Sequence, residues 1–379
     1  MIAWARKRLG DSMEAFARRM GVSIERVTNW ENGIAFMTYA QIKRLADQSL
    51  LPVGLFFLED PPELSIGMTD FRNVRERGLL FPSPELYAVV STMKYRQAWY
   101  RDYLLENECV PLDYVGSVTT SMPVKTVAER LKTVLQWDDG TIDQCKDWES
   151  YFDRLTTAME ELASILVMRN SVVDNNTSRH LELREFRGFA LADKYAPLIF
   201  INAADTKGAQ LFTLVHEATH ILLNQSGISN VSLSEGLCSQ TVEHFCNAVA
   251  AEFLAPEAKI RACWQKSASS QSDFLGRISG IARQLKLSRQ VVLYRCQALR
   301  LIPMTVASGL WDDLKSMEKT SGGSGGDFYA MLKNRVSRLF ARMVISENDS
   351  GNISFTDAFR LLSVNSTASL RRLSEAVGM

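Results

Sequence analysis

Along most of the chain apolar residues return every three or four positions, the spacing of helices that bury one face. Leu86, Val89, Val90, Met93, Trp99 and Tyr103 mark a long amphipathic helix over Pro84–Glu108, and further helices are predicted at Val124–Trp137 and Trp148–Leu162. From Ser164 the pattern changes. Ile165–Met168 is a short apolar run, Leu183–Leu191 alternates up to Gly188, and Pro197–Asn202 is apolar again, which predicts three strands of a small sheet. Helical spacing resumes at Leu211–Leu223, Glu243–Ala255, Asp273–Leu285 and Arg289–Leu299. The last two have the outline of a turn-linked helix pair and are read as core packing. Thr320–Gly326 is a Gly/Ser linker, followed by helices at Phe328–Ser346, Phe355–Leu362 and near Ser366–Ala376.

The first 50 residues read as short helices broken by glycine. Met13–Met20 closes at Gly21, and the next helix is capped by Ser23 and ends at Gly33. Ala17, Val22, Val27 and Trp30 are placed to pack, so the two helices make a helix-turn-helix unit. Asp60-Pro61-Pro62 stops helical backbone and marks a boundary. Four segments are expected: a helix-turn-helix domain at 1–60, a helical connector at 61–147, an α+β domain at 148–305 and a helical module at 306–379. The expected fold class is therefore mostly α with one small α+β domain.

Composition narrows the function. The chain has 379 residues, 46% hydrophobic and 23% charged, as in a soluble globular protein with real cores. Its net charge is zero, so contact with nucleic acid must be local. Residues 1–50 supply such a place, with eight Lys/Arg against five Asp/Glu. The six cysteines (109, 145, 238, 246, 263 and 296) are scattered without a C-x-x-C pair, the usage of a reduced, cytoplasmic protein. No signal peptide and no apolar run of membrane-spanning length is apparent.

The chemistry concentrates in Leu211–Leu223, which contains His216, Glu217 and His220. On a helix, positions i and i+4 share a face, so both imidazoles aim at one spot. Neutral imidazole is a good ligand for Zn²⁺, and a zinc site with one open position supports hydrolysis. Glu217 follows the first histidine, where a carboxylate can act as general base. Glu243 on the later helix, with Asn247 four residues on, would complete a His₂Glu set. His244 points about 100° away and is a weaker candidate. The sheet beside this helix has the α+β layout of a minimal zinc peptidase, and an edge strand there could pair with an extended substrate. Phe200–Asn202 and Arg187 are the expected sheet-edge contacts.

Two resemblances follow from these residues. The Ala17-to-Ser23 turn, the Trp30-Glu31-x-Gly33 ending and Leu45-Ala46 are similar to the Cro/repressor-type (XRE-like) DNA-binding domain. That likeness implies operator DNA read in the major groove by Ile24, Glu25, Arg26, Thr28 and Asn29. The chain departs from it at Met13, where glutamine is common, and at the apolar Ile34–Met37, where a basic stretch is usual. Residues 183–256 resemble the ImmA/IrrE family of zinc metallopeptidases. The carriers are Phe186-Arg187-Gly188, Ala196-Pro197 before an apolar strand, F-T-L-x-H-E-x-x-H, and Glu243-x-x-x-Asn247 running on to Pro256. Val249 and Ala255 stand where Phe and Met are usual, on the packing side.

The second resemblance implies a zincin-like fold, zinc held by His216, His220 and Glu243, and Glu217 as general base. It implies an intracellular endopeptidase that cleaves a repressor or partner protein and regulates transcription. The alternative it leaves is a DNA-binding antitoxin or regulator, as in toxin–antitoxin or phage-related operons, whose peptidase fold serves partner binding. Repressor-type domains usually act as dimers, which implies a homodimer.

Overall fold

The computed structural model describes residues 1–62, 66–70, 82–229, 241–267, 273–318 and 335–379. The chain divides into two compact units, one comprising Met1–Met68, Asn73–Tyr95 and Val172–Leu181, the other Thr69–Arg72, Arg96–Ser171 and Glu182–Met379. The helical content is high and the sheet small, as the periodicity predicts. Among the described residues no helix is long and apolar enough to cross a membrane.

The first unit opens with α1 (Ile2–Arg8), α2 (Met13–Met20), α3 (Ile24–Glu31) and α4 (Tyr39–Ser49). Ser12 and Ser23 cap α2 and α3 by accepting the backbone N–H three residues on, and Gly21 ends α2 in the left-handed region at φ 67°. Phe16, Ala17, Met20, Val27, Trp30 and Leu45 form one core, so α3 is held against α2 by the positions the sequence singled out. Val53–Phe57 follows as a 3-10 turn. A hairpin missing from the sequence reading also belongs here: β3 (Val172–Val173) and β4 (Asn176–His180). Its Arg179 bonds the Glu85 carboxylate at 2.8 Å and the Asp47 carbonyl at 2.8 Å.

In the second unit the main sheet has the order β1-β7-β5-β6-β2, built from β1 (Thr69–Asp70), β2 (Leu166–Asn170), β5 (Gly188–Leu191), β6 (Leu198–Asn202) and β7 (Gly227–Ser229). The β5 strand runs antiparallel to both β6 and β7, while β2 is parallel to β6 and β1 to β7. The helices, in order, are α5 (Pro84–Glu106, in this unit from Arg96), α6 (Val124–Val134), α7 (Thr141–Gln144), α8 (Trp148–Glu161), α9 (Lys207–Leu222), α10 (Thr241–Leu254), α11 (Glu257–Lys266), α12 (Phe274–Leu285), α13 (Arg289–Ala298), α14 (Met304–Glu318), α15 (Arg338–Asp349), α16 (Phe355–Leu362) and α17 (Thr367–Val377).

Alternation along β5 and β6 sorts the side chains. Ala190, Ile199 and Ile201 join the core formed with Leu211, Leu214, Val215 and Ala218 of α9. On the opposite face Phe189 stacks on Phe200, their ring centres 5.1 Å apart. With both faces covered, these strands are apolar up to Asn202 at the end of β6. Every residue of α9 from Gln210 to Leu222 is buried, which explains its lack of a polar stripe. Helices α6 and α10 pack together, with Val127, Leu131, Val249 and Phe253 in the same core.

Three expectations need correction. Residues 183–187 are not strand. The Phe186 and Glu185 N–H groups both turn back to the Glu182 carbonyl, and β5 begins only at Gly188. The helix expected over Phe328–Ser346 is interrupted by Ser337, whose φ of 46° is left-handed; α15 begins after it. Third, β6 is an interior strand flanked by β5 and β2, so Phe200–Asn202 offer no free edge. The Gly/Ser linker at 320–326, Cys238 and residues 328–334 lie outside the described residues.

Candidate metal centre

Helices α9 and α10 pack side by side and bring the expected side chains together. His216 and His220, one turn apart, approach with their Nε2 atoms 3.1 Å apart. The Glu243 carboxylate of α10 closes the third side, 3.3 Å from His216 Nε2 and 3.0 Å from His220 Nε2. All three donors lie within 4.8 Å of one another, and both histidines are buried. Donors bonded to a tetrahedral zinc ion at ~2.05 Å stand about 3.3 Å apart, so this triangle has the size such an ion requires. Two imidazoles and a carboxylate are also the donor types of a hydrolytic zinc site.

Polar neighbours prepare the donors. Nδ1–H of His216 donates to Asn247 Oδ1 at 2.9 Å, one turn beyond Glu243 on α10, so that Nε2 is the ring nitrogen turned to the triangle. Burial opposes ionisation of Glu243, but the charge of His216 and hydrogen bonds from both histidines outweigh it and hold the carboxyl down at about 2. Burial likewise disfavours the His216 cation, yet the Glu243 charge and hydrogen bond raise its pKa overall; at His220 burial prevails and the pKa falls. The cluster thus keeps an anionic carboxylate facing two imidazoles.

Glu217 is wholly buried next to this triangle, and neither of its oxygens has a full hydrogen bond among the described residues. Burial pushes its carboxyl up to about 8; the Glu243 charge adds to this, against the opposing effects of His216 and the Ser229 hydroxyl. It stands over the junction of β5 and β7, where Gly188 pairs with Ser229. A methyl group built on Gly188 would lie 2.7 Å from Thr213 Cγ2, 3.0 Å from the Phe200 carbonyl and 3.2 Å from Glu217 Oε1. Only glycine lets α9 come this close to the sheet.

Other expected residues fall elsewhere. His244 is exposed on another face of α10. The Arg187 side chain is tied to Asp205 rather than offered to a substrate. In the first unit Ile24, Glu25, Arg26 and Thr28 are exposed on α3 and Asn29 is half-buried, while Val27 and Trp30 point inward. Ile34 and Phe36 after α3 are exposed and apolar, where a phosphate-tracking loop would be basic. Sequence reasoning missed the parts played by Asn247, Ser229 and Gly188. The i, i+4 spacing of Glu243 and Asn247 was the one signal for the first.

A helix pair over a small mixed sheet, with two histidines and a glutamate converging beside a buried carboxylate, is a metallopeptidase-type fold, here accompanied by a helix-turn-helix. Comparison with known families agrees with both parts. Residues 160–297 match the IrrE N-terminal-like domain of the Peptidase_M78 family, and residues 2–47 match a helix-turn-helix family. Residues 336–376 match a domain of unknown function, DUF8813. No curated protein matches the chain. The chain carries an IrrE N-terminal-like peptidase domain and an N-terminal helix-turn-helix domain.

Proposed function

We propose that the chain is a zinc-dependent metallo-endopeptidase that cleaves a repressor or partner protein, with a helix-turn-helix domain that takes it to operator DNA. The observation carrying this reading is the convergence of His216, His220 and Glu243 beside a buried Glu217 that accepts no full hydrogen bond among the described residues. Those three residues would hold the ion. Bound there, zinc would polarise the scissile carbonyl and acidify the attacking water. Glu217 would take the proton of that water and pass it to the departing amine. Asn247 holds His216 in the ligating tautomer. Ser229, close to Glu217, favours its ionised form.

The exposed face of α3 supports the DNA-binding part, with Ile24, Glu25, Arg26, Thr28 and Asn29 reading base edges. An antitoxin-like regulator that uses the peptidase fold only to hold a partner has no need of a general base, and an intact Glu217 weighs against it. Glu217→Gln separates the two. The variant is expected to bind zinc at parental stoichiometry and to lose cleavage of its repressor or partner protein by at least about a hundredfold. Unchanged cleavage removes the mechanism. Arg26→Ala with Asn29→Ala is expected to abolish operator recognition in a mobility-shift assay and leave cleavage of free partner intact.

A further inference from the structure

Residues 335–379 form a three-helix unit in which α16 and α17 both pack on α15. Its plan repeats that of α2 and α3. Helix α2 has eight residues and ends at a left-handed Gly21; α16 has eight and ends at a left-handed Ser363, φ 51°. After each, a valine N–H reaches back five residues: Val22 to the Ala17 carbonyl, Val364 to the Phe359 carbonyl, both at 3.0 Å. A serine then caps the next helix, Ser23 accepting from the Arg26 N–H and Ser366 from the Ser369 N–H, each at 3.2 Å. Four and seven residues beyond the cap the side chains are buried, Val27 and Trp30 in one case, Leu370 and Leu373 in the other. The connection differs by one residue, Gly21–Ser23 against Ser363–Ser366.

Such a turn alone does not make a reader. Helices α12 and α13 join in the same way, through left-handed Lys286 and the cap Ser288. There, however, a methyl group on Gly208 of α9 would lie 2.9 Å from Ser288 Cβ, and Val291, Val292 and Leu293 are wholly buried. At the start of α13 only Arg289 is exposed; Ser288 meets α9 and Val291–Leu293 are packed into the protein. The start of α17 is open: Asn365, Thr367, Ala368, Arg371 and Arg372 are all exposed. The Arg371 side chain is 83% exposed and only 3.7 Å from Glu375. Small side chains at the first turn permit close approach to a base edge, and Arg371, one turn on, has the reach for guanine or phosphate. The C-terminal end of α17 is fixed by Arg342, whose Nε donates to the Val377 carbonyl at 2.8 Å. Arg96 fixes the turn by donating to Ser363 Oγ at 2.8 Å.

We infer that residues 335–379 are a second helix-turn-helix, which binds double-stranded DNA through the exposed face of α17. Arginine outnumbers acid along its two outer helices, Arg360, Arg371 and Arg372 against Asp357 and Glu375, as phosphate contact requires.

The test uses the full chain and a labelled mixed-sequence duplex of about four helical turns. Binding is read by fluorescence anisotropy from about 50 to 200 mM salt. With the first reader silenced by Arg26→Ala and Asn29→Ala, binding is expected to persist at low salt. Adding Ala368→Glu and Arg371→Glu is expected to weaken that residual binding at least tenfold and to reduce the log–log salt slope by about one or more. Arg371→Lys is expected to keep the slope, which separates lost charge from misfolding, and matching circular-dichroism melts check the exposed substitutions. No residual binding after silencing the first reader overturns the inference, as does residual binding that the α17 substitutions leave unchanged. Loss of self-association in sedimentation, with DNA binding intact, would make the face a protein interface and overturn it equally.

Discussion

Gly188→Ala tests whether the spacing between the sheet and α9, the helix of His216 and His220, sets the site. The added carbon would stand 2.7 Å from Thr213 Cγ2, where carbon atoms normally keep about 3.5–4.0 Å. Thr213 cannot yield easily: it is 2% exposed, and its hydroxyl is bonded to the Ala209 carbonyl at 3.0 Å. The Phe200 carbonyl at 3.0 Å belongs to the β6 backbone and has still less freedom. Overpacking of this kind costs about 1–3 kcal/mol. At about 2 kcal/mol, a domain of this size should melt roughly 4–8 °C lower. Because the third neighbour is Glu217 Oε1 at 3.2 Å, cleavage should fall as well, by more than the loss of folded protein explains. Melting curves and turnover are measured on the parent, Gly188→Ala, Thr213→Ser and the double variant. Thr213→Ser keeps the hydroxyl and removes the offending methyl, so the double variant is expected to regain most of the lost stability. If Gly188→Ala melts with the parent, or Thr213→Ser restores nothing, close approach is not what demands glycine here.

Two further predictions concern polar groups outside the His216–His220–Glu243 triangle. Asn247→Ala removes the acceptor for His216 Nδ1–H at 2.9 Å; zinc affinity is expected to fall about 10–100-fold in a chelator competition, with Asn247→Asp retaining most of it. Glu160, buried where α8 meets the start of α15, accepts the Arg338 N–H at 3.2 Å, and burial raises its carboxyl to about 7 despite the Ser337 hydroxyl and the Leu339 and Val167 N–H groups. The folded chain therefore holds this proton longer than the unfolded chain, so the group lowers stability as pH rises from about 4.5 to 7 and has no further effect above that. A rise of this size corresponds to about 3 kcal/mol at most. Denaturation midpoints of parent and Glu160→Gln should coincide near the low end of that window and diverge in favour of the variant at the high end.

How far the sequence revealed the fold depended on whether each element's signal was local. His216, Glu217 and His220 lie within one helical turn, so i, i+4 geometry alone put both imidazoles on one side. The Glu243 helix could be found because it too is apolar and uninterrupted. Strands β2 and β6 showed as apolar runs because both their faces are buried. Hairpin β3–β4 gave no such signal, since β4 is mostly exposed. Leu183–Arg187 imitated a strand because Phe186 reaches the aromatic layer from a turn, its ring 6.2 Å from that of Phe200. Strand order depends on a crossover rather than on neighbouring residues. The chain passes from β2 to its neighbour β6 only after the hairpin and β5, and nothing near Phe200–Asn202 indicates that β2 covers the side assumed to be free. The same reasoning applies to the site. Its candidate ligands could be read because a metal site calls for their residue types. The roles of Asn247, Ser229 and Gly188 could not, even where the positions of Asn247 and Gly188 stood out, because asparagine, serine and glycine are common anywhere and each acquires its role from a partner on another element. Residues of this second kind decide whether a metal-binding motif becomes a metal-binding geometry, so the most informative substitutions are those at Gly188 and Asn247 rather than at the histidines.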